Sequence, residues 1–506
     1  MGQPSRVGRF VARPARDTPA SVRRWREPLL LVGVLVVATL LRLHELGDEL
    51  WVDEIVTWLR VSRLDAAAIL TTYESQNQHL LYSLLARGAL LLFGDTPAAL
   101  RAPAAAFGVL SIAALYPLGR DLLSRREALL AAALLAVSEQ HVWFSQNARG
   151  YSALLFFTLL SSWLLLRALA DDRPRRWIAW AVATTLGLAV HLTMLFVVGA
   201  HLVMVLRRRV RQKPRVRRSP SGPLLGFGLA AALTLLVYAP IVPQILAVNA
   251  VEGRSGSIPE WSSSGWAASE VLHALNESFP HPLLAASMLV IGLVGAWTLR
   301  RRAPVLLELL ALPIAIGMVV VLGSGHTIWP RLFFFAIGFA ALTLVAGAVA
   351  LGERCGRGLA LEPSRITAAG TLLAMLRIAA AATGLPKAYG PKQNHAAALA
   401  LIDAELRPGD AVVTAGLSVP IVQQYYGRDW ARVETGDELA RVRQGATRTW
   451  LVHSLPIHLH ARRPEIASML ERDFVLIARF PGTLRGGDVL VWRSDHPPEV
   501  FTPAPR

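Results

Sequence analysis

The sequence contains a single cysteine, Cys355, among 506 residues. One cysteine excludes an internal disulfide bond and a metal site built from several cysteines. Charged side chains are also scarce, at 17% of the residues, whereas 53% are hydrophobic and the mean hydropathy is +0.42. Because several apolar runs are long enough to cross a bilayer, this composition excludes an ordinary soluble protein and predicts a polytopic α-helical membrane protein.

Acidic residues are fewer than basic ones, 35 against 52, which gives a formal net charge of +17. Such a charge is also typical of nucleic-acid-binding proteins. Here, however, the arginines cluster between apolar runs, as the cytoplasmic anchors of membrane helices do. The sequence therefore predicts membrane lipids as partners and no nucleic acid. Residues 1–27, rich in arginine and proline, are predicted to form a disordered basic tail in the cytoplasm.

Residues 28–385 are predicted to form the transmembrane domain, with about eleven spans and an external loop at 45–100. The first run lacks a small-residue cleavage site, so we expect it to remain as an anchor. The run His79–Phe93 is short and contains Arg87. Placing it along the outer surface keeps the next basic turn inside, so we interpret it as an interfacial helix. The predicted spans are Leu29–Leu43, Arg101–Leu118, Ala128–Phe144, Ser152–Leu169, two short helices within Trp177–Leu206, Leu224–Ile241, Leu283–Leu299, Pro304–Leu322, Leu332–Leu351 and Ile366–Leu385.

The basic tail puts the N-terminus in the cytoplasm, and an odd number of spans then puts the C-terminus outside the inner (plasma) membrane. Residues 386–506 have the composition of a soluble domain, and we predict a small extracytoplasmic α/β domain. A helix is predicted over His395–Leu406 with Asn394 as its cap, and further helices near Ser418 and Pro464. Strands are predicted at Ala411–Ala415, Thr449–His453, Phe474–Phe480 and Val489–Trp492. No phosphate-binding loop accompanies them, so this domain is assigned no chemistry.

Asp53 and Glu54 follow the first span directly, and two tryptophans flank them at the expected depth of the membrane–water boundary. Two carboxylates at this depth are costly unless water or a partner reaches them. One interpretation is that a carboxylate removes a proton from an acceptor hydroxyl. The alternative is a helix N-terminus, where acidic residues cap the helix and favour its dipole. The pair by itself leaves both interpretations open.

The predicted topology gathers further polar residues on the external face, from separate turns of the chain. Arg101 and Arg331 are candidates for phosphate binding, with interfacial anchoring as the alternative. His191, in a turn between two helices, has the alternative of a satisfied polar contact. The external set is Asp53, Glu54, His79, Arg101, the turn Ser145–Tyr151 with Gln146, Asn147 and Arg149, His191, His326 and Arg331.

The sequence resembles bacterial members of the GT-C superfamily of glycosyltransferases, in the protein O-mannosyltransferase-like branch, and is similar in layout to the lipid A aminoarabinose transferase. The resemblance rests on Trp51-Val-Asp-Glu after the first span and on the stretches Asn77–Gly94 and Leu100–Leu155. It covers roughly residues 28 to 205 well, the later spans only in layout and the C-terminal domain hardly at all. It implies a catalytic acid in the first external loop, which matches Asp53, and polar residues in a second short loop, which matches Ser145–Tyr151.

One departure from that family concerns metal binding. Members often carry an acid in the second loop, in a pattern like "SQEAR", where this chain has Asn147. An amide is a weaker metal ligand than a carboxylate and does not act as a base. No cofactor is therefore required by the sequence, and divalent metal participation stays open. Glu139, at the outer end of its span, substitutes only if the helix end turns toward the site.

These observations lead to the hypothesis of a membrane glycosyltransferase that moves a sugar from a polyprenyl-phosphate donor to a glycan, lipid or protein acceptor. Asp53 is the predicted base, tuned by Glu54. Arg149 is the first candidate to hold the leaving phosphate, before Arg101 and Arg331. Tyr151, His79 and Gln146 are expected to orient the sugar or the acceptor. The external loop Gln244–Pro282, with Trp261 and Trp266, is a candidate cover for the acceptor.

Two rival functions use the same sequence features differently. A transporter or lipid flippase of similar span count predicts charges near mid-membrane, broken helices and internal repeats. No clear repeat is found, and the polar residues gather on one face. A non-catalytic scaffold whose external domain binds a partner leaves Asp53 and Arg149 without a shared role.

Overall fold

The computed structural model describes residues 23–75, 78–211, 221–254, 265, 269, 282–324, 328–484 and 486–495. Most of the predicted basic tail, together with His326, Trp261 and Trp266, lies outside these residues. The chain divides into two compact units. The first, called the membrane unit, comprises Met1–Leu46, Asp65–Gly94 and Leu100–Ala388. The second, called the sheet unit, comprises Gly47–Leu64, Asp95–Ala99 and Tyr389–Arg506.

A series of α-helices precedes the sheet in the chain. Their bounds are α1 Arg23–Leu43, α2 Val52–Arg63, α3 Ala66–Thr71, α4 Leu80–Phe93, α5 Pro97–Leu122, α6 Arg125–Ala136, α7 Glu139–Ser145, α8 Tyr151–Asp171, α9 Pro174–Val190, α10 Met194–Arg211, α11 Ser221–Tyr238, α12 Val242–Arg254, α13 Pro282–Arg302, α14 Pro304–Gly323, α15 Ile337–Gly358 and α16 Pro363–Ala382. A 3₁₀ segment, Pro330–Ala336, leads into α15, and a second one, Leu385–Ala388, follows α16.

Seven helices of the described residues are long and apolar enough to cross a membrane, and the bent pair α6–α7 makes an eighth if it is one span. The other three predicted spans, α1, α9 and α10, are helical over 17 to 21 residues and carry arginines at their ends. The predicted polytopic helical architecture is confirmed. Helix α4 has 14 residues, about 21 Å at 1.5 Å per residue, and is therefore too short to cross a bilayer core of about 30 Å.

Helix α15 lies at the centre of the membrane unit. Of the most apolar window of the span Pro330–Gly358, 72% is buried, against 17% for the spans of α13 and α16. Helix α13 approaches it closely because glycines face each other across the contact. A Cβ on Gly347 would lie 2.0 Å from the carbonyl oxygen of Ile291, and one on Gly295 would lie 2.1 Å from that of Thr343. Small residues at such crossings let helix backbones pack in contact inside a membrane.

The break between α6 and α7 bends the chain by 62° and aims α7 at the turn that precedes α8. Ser138 caps α7 by accepting a hydrogen bond from the amide of His141. The fully buried Arg42 donates to the carbonyl of Ala136, at the end of α6, and lies 2.7 Å from Nδ1 of His141. A buried cation thereby satisfies a carbonyl that the break in the helix leaves without its usual amide partner.

The sheet unit is built on a five-stranded mixed sheet with the order β2-β1-β3-β5-β4. Strand β1 pairs in parallel with β2 and β3, and β5 is antiparallel to β3 and β4. The four predicted strands are present, and the structure adds the three-residue β2. The strands are β1 Asp410–Ala415, β2 Ala431–Val433, β3 Arg448–Ser454, β4 Val475–Phe480 and β5 Val489–Ser494.

Alternating side chains of the strands fill two cores, one on each face of the sheet. Leu451 packs in the core that α18 and α20 cover, whereas Trp450 and Val452 pack in the core that α17 covers. Asn394 caps α17 by accepting from the amide of Ala397, as the sequence predicts. These helices, with the short α19, are α17 His395–Glu405, α18 Gly436–Gln444, α19 Pro456–Arg462 and α20 Pro464–Asp473.

Candidate active site

Four predicted site residues form one cluster in the membrane unit, which we call the arginine–imidazole cluster: His79, Arg149, Tyr151 and His191. Arg149 donates from Nε to Nε2 of His79 at 3.2 Å, and its Cζ lies 5.4 Å from the centre of the Tyr151 ring. The rings of His79 and His191 stack with their centroids 4.7 Å apart, and Tyr151 lies 4.9 Å from His191. Three separate segments of the chain thus meet at one cation.

Helix ends bring these side chains together. His79 is the N-cap residue of α4, Gly150 is that of α8, and His191 ends α9. The N-terminus of α8 approaches the end of α9 closely because Gly150 has no side chain. A Cβ there would lie 2.6 Å from the carbonyl oxygen of Val190. Glycine also leaves the first turn of α8 without a side-chain cap, so its amides and the helix dipole favour an anion at this end.

The surroundings of the two histidines favour their neutral forms. Burial, the His191 ring and the Arg149 charge hold the pKa of His79 well below its usual value. His191 keeps part of its surface exposed, and burial together with the charges of Arg149 and Arg331 lowers its pKa to about 3. At neutral pH, Nε2 of His79 is therefore an acceptor for Arg149, and the local charge comes from the two arginines.

Arg331 contributes the second positive charge near the two imidazoles. It lies in the 3₁₀ segment before α15 and is half-buried, with its Cζ 4.7 Å from the centre of the Trp329 ring. Its charge lowers the pKa values of both His79 and His191. Together with Arg331, the arginine–imidazole cluster therefore combines two guanidinium groups with neutral rings, an arrangement suited to binding a phosphate group.

Three other predicted binding residues contact the backbone around them. Arg101 is buried and donates from Nη1 to the carbonyl of Leu46 at 3.1 Å. Gln146 donates from Nε2 to the carbonyls of Arg42 and His44, and Asn147 accepts at its own carbonyl from the amide of Arg149. Arg101 and Gln146 thus bind the backbone at the end of α1 and just after it. The Asn147 carbonyl stabilises the turn that carries Arg149.

Asp53 and Glu54 lie in the first turn of α2, in the sheet unit. The N-cap residue of this helix is Trp51, and Glu54 reaches back so that its Oε2 accepts from the Trp51 amide at 3.4 Å. Glu54 is fully buried, whereas Asp53 is half-buried. The structure therefore gives the capping role to Glu54. Asp53, at the second position of the helix, is not the cap residue.

Sequence reasoning missed the residues that hold α2. The amide of Val52 donates to Oε1 of Gln393 at 2.9 Å, and Glu49 accepts from the amide of Ala396 and from the Tyr426 hydroxyl. These partners are more than 300 positions apart in the chain. No local sequence pattern indicates such a pairing. Among the described residues, no three His, Cys, Asp or Glu side chains are grouped closely enough to hold a metal ion.

Known proteins share parts of this sequence and this fold. The family model described as dolichyl-phosphate-mannose-protein mannosyltransferase matches residues 77–243, which include all four residues of the arginine–imidazole cluster but not Arg331. A search of curated protein sequences found no match. Among solved structures, ArnT from Cupriavidus metallidurans in the apo state superposes with a TM-score of 0.51 at 13% identity, covering 92% of this chain and 97% of that one.

Two further solved structures have lipid phosphates in them. ArnT from Cupriavidus metallidurans bound to undecaprenyl phosphate gives a TM-score of 0.50 at 12% identity, covering 96% of this chain and 100% of that one. Archaeal oligosaccharyltransferase AglB from Archaeoglobus fulgidus, in complex with an inhibitory peptide and a dolichol-phosphate, gives 0.54 at 12% identity, covering 93% of this chain and 74% of that one. The chain therefore shares its fold with ArnT and AglB, and residues 77–243 match the mannosyltransferase family model.

Proposed function

We propose that this protein transfers a sugar from a polyprenyl-phosphate donor to a glycan, lipid or protein acceptor on the outer face of the cytoplasmic (inner) membrane. The observation that carries the proposal is the arginine–imidazole cluster at the N-terminus of α8. Undecaprenyl phosphate and dolichol-phosphate are the lipids bound in the ArnT and AglB structures. A polyprenyl-phosphate sugar is accordingly the donor class that fits two arginines of the membrane unit.

The charges of the reaction fit this cluster. The bond between the anomeric carbon and the phosphate oxygen breaks, and a bond forms between that carbon and the acceptor oxygen. The phosphate changes from a diester with one negative charge to a leaving monoester with up to two. Arg149 and Arg331 supply two positive charges, while His79 and His191 stay neutral. Fixed cations stabilise the charge that develops on the leaving oxygen and need no proton donor.

Asp53 is the proposed base that accepts the proton of the acceptor hydroxyl as the new bond forms. Two features of α2 support this role. Glu54 makes the capping contact, so the capping role does not account for Asp53. Asp53 is also half-buried, which leaves part of the residue within reach of solvent. Glu54, held against the Trp51 amide, is proposed to tune its neighbour.

The proposed orientation places the N-terminus in the cytoplasm and the sheet unit outside. The arginine clusters at the ends of α10 and α13 support it, since basic segments remain on the cytoplasmic side. A lipid flippase, the rival with a similar span count, would move the donor without cleaving it.

The experiment that tests the proposal uses the purified full chain in nanodiscs with undecaprenyl-phosphate mannose and undecaprenyl-phosphate arabinose. Membrane extract from a strain that lacks the gene serves as the acceptor source. We expect release of undecaprenyl phosphate from one donor, together with the loss of one sugar from the cell-envelope glycans of that strain. Movement of intact donor across a vesicle without any release, and unchanged glycans, would overturn the proposal in favour of the flippase.

A further inference from the structure

The segment that carries Asp53 is built into the sheet unit. Residues 47–64 group with the C-terminal sheet and not with the membrane helices that flank them in the chain. Residues along α2 and just before it contact the C-terminal part of the chain. At the far end of α2, Arg63 donates to Gln424 at 3.3 Å, and Trp58 meets the edge of the Tyr425 ring with the centroids 5.2 Å apart.

Gln393 makes the contact nearest to Asp53. Its side chain is fully buried, and both ends of its amide are used. Oε1 accepts from the amide of Val52 at 2.9 Å, and Nε2 donates to the carbonyl of Gly487 at 3.1 Å. The Val52 amide belongs to the first turn of α2, where no helix carbonyl is available to it. Gln393 thus fixes the backbone one residue before Asp53 to the loop that leads into β5.

Glu49 makes a second attachment just before α2. Its Oε1 accepts from the amide of Ala396, in the first turn of α17, at 2.8 Å and from the hydroxyl of Tyr426 at 2.6 Å. A carboxylate at a helix N-terminus is favoured by the dipole and by the open amides there. The attachment therefore anchors residue 49 to a helix that itself packs on the sheet.

We propose that Gln393 is a positioning residue for the catalytic carboxylate, and that holding α2 through Gln393 and Glu49 is a function of the C-terminal domain. This inference rests on the proposed role of Asp53. General-base catalysis needs the carboxylate within hydrogen-bond reach of the acceptor hydroxyl, and a displacement near 1 Å is enough to reduce the rate strongly. A domain without chemistry of its own would thus set the rate of transfer.

The test compares Gln393→Ala with Gln423→Ala in the full chain. Gln423 lies in the same domain and donates to the carbonyl of Trp430, a hydrogen bond that involves no residue of α2. For Gln393→Ala we expect faster hydrogen–deuterium exchange at the amides of α2 and a fall in kcat of roughly tenfold to a hundredfold. Binding of undecaprenyl phosphate and the exchange of β1 and β3 are expected to match the parent. Gln423→Ala is expected to change none of these.

Two further variants test the same positioning role by smaller changes. Gln393→Glu retains the acceptor for Val52 but donates to Gly487 only when protonated, so its kcat relative to the parent should recover as the pH falls. If Gln393→Ala does not fold, Tyr426→Phe is tested in its place, since it removes only the hydroxyl bound to Glu49. We then expect faster exchange in α2 and a lower kcat, both by smaller amounts. Parent-like kcat and α2 exchange in these variants, with Asp53→Asn inactive, would overturn the positioning role and leave the proposed function standing. An active Asp53→Asn would overturn both.

Discussion

Arg149 and His79 lie 70 positions apart in the chain, yet the guanidinium of Arg149 donates to Nε2 of His79 from Nε, with Nη2 also 3.2 Å away. A neutral imidazole that accepts from an arginine leaves that arginine fully charged and fixes its direction. The pair therefore presents an oriented cation beside the N-terminus of α8. The neutral His79 ring sets the orientation of this cation and carries no negative charge that would repel a bound anion.

The first prediction concerns Arg149. Because it is proposed to hold the leaving phosphate, Arg149→Ala should weaken binding of undecaprenyl phosphate by about tenfold to a hundredfold, as expected for losing a charge-assisted contact worth about 1.5–3 kcal/mol. Binding to purified protein in nanodiscs measures this. Arg173→Ala is the control, since Arg173 is largely exposed and pairs with Asp171. Equal, small effects of the two substitutions would remove the phosphate assignment.

The second prediction concerns Gly150. A Cβ at this position would lie 2.6 Å from a backbone oxygen of Val190, so Gly150→Ala must separate α8 from the end of α9. We expect a lower thermal midpoint and weaker binding of undecaprenyl phosphate. Gly228→Ala, in a helix with open space around the glycine, is the control and should be neutral or stabilising by up to about 1 kcal/mol. A Gly150→Ala protein that binds like the parent would show that close contact is not required.

The third prediction concerns pH. His191 has a pKa of about 3 in the folded protein against 6.5 for the free side chain, so protonation favours the unfolded chain. Its contribution to stability is complete above pH 6.5 and is lost as the pH falls from there toward 3, by at most about 1.4 kcal/mol per pH unit. Without donor lipid, the thermal midpoint should fall between pH 6.5 and 5, and less steeply in His191→Gln. An unchanged slope in His191→Gln would refute the prediction.

The fourth prediction concerns topology. The proposed orientation puts the C-terminus outside the cell, so a reporter that is active only in the cytoplasm should be silent when fused after Arg506. The same reporter fused after Arg211, at the end of α10, should be active. A strong signal from the fusion after Arg506 would reverse the placement of the sheet unit.

Local patterns predicted most of the helices and strands of this protein. Hydropathy located the membrane helices, and Asn394 marked the start of α17. Helices α18 and α19 and the three-residue β2 were not predicted, because such short segments carry too few residues to show a period. The bent pair α6–α7 was predicted as one span, because hydropathy does not report a break that Arg42 stabilises from another helix.

Only part of the candidate site could be predicted from the sequence. External polar residues on separate turns indicated His79, Arg149, Tyr151 and His191, and the structure brings these four together. The sequence did not predict that residues 47–64 belong with the C-terminal domain, since the hydrogen bond between Val52 and Gln393 joins positions that no spacing rule connects. The division of roles between Asp53 and Glu54 also needed the structure, because either acid suits the first turn of a helix.

Whether Asp53 is the base is measured by the initial rate of undecaprenyl phosphate release by Asp53→Asn, with the donor that the parent cleaves. Asparagine keeps the shape and most hydrogen bonds of the side chain and removes its proton-accepting charge. The matched control is Glu54→Gln, which keeps an acceptor oxygen for the Trp51 amide and should lower the rate only mildly. Thermal midpoint and undecaprenyl phosphate binding should be parental in both variants. We expect Asp53→Asn to lose about a hundredfold to ten-thousandfold in rate. A rate close to that of the parent would show that Asp53 is not the base.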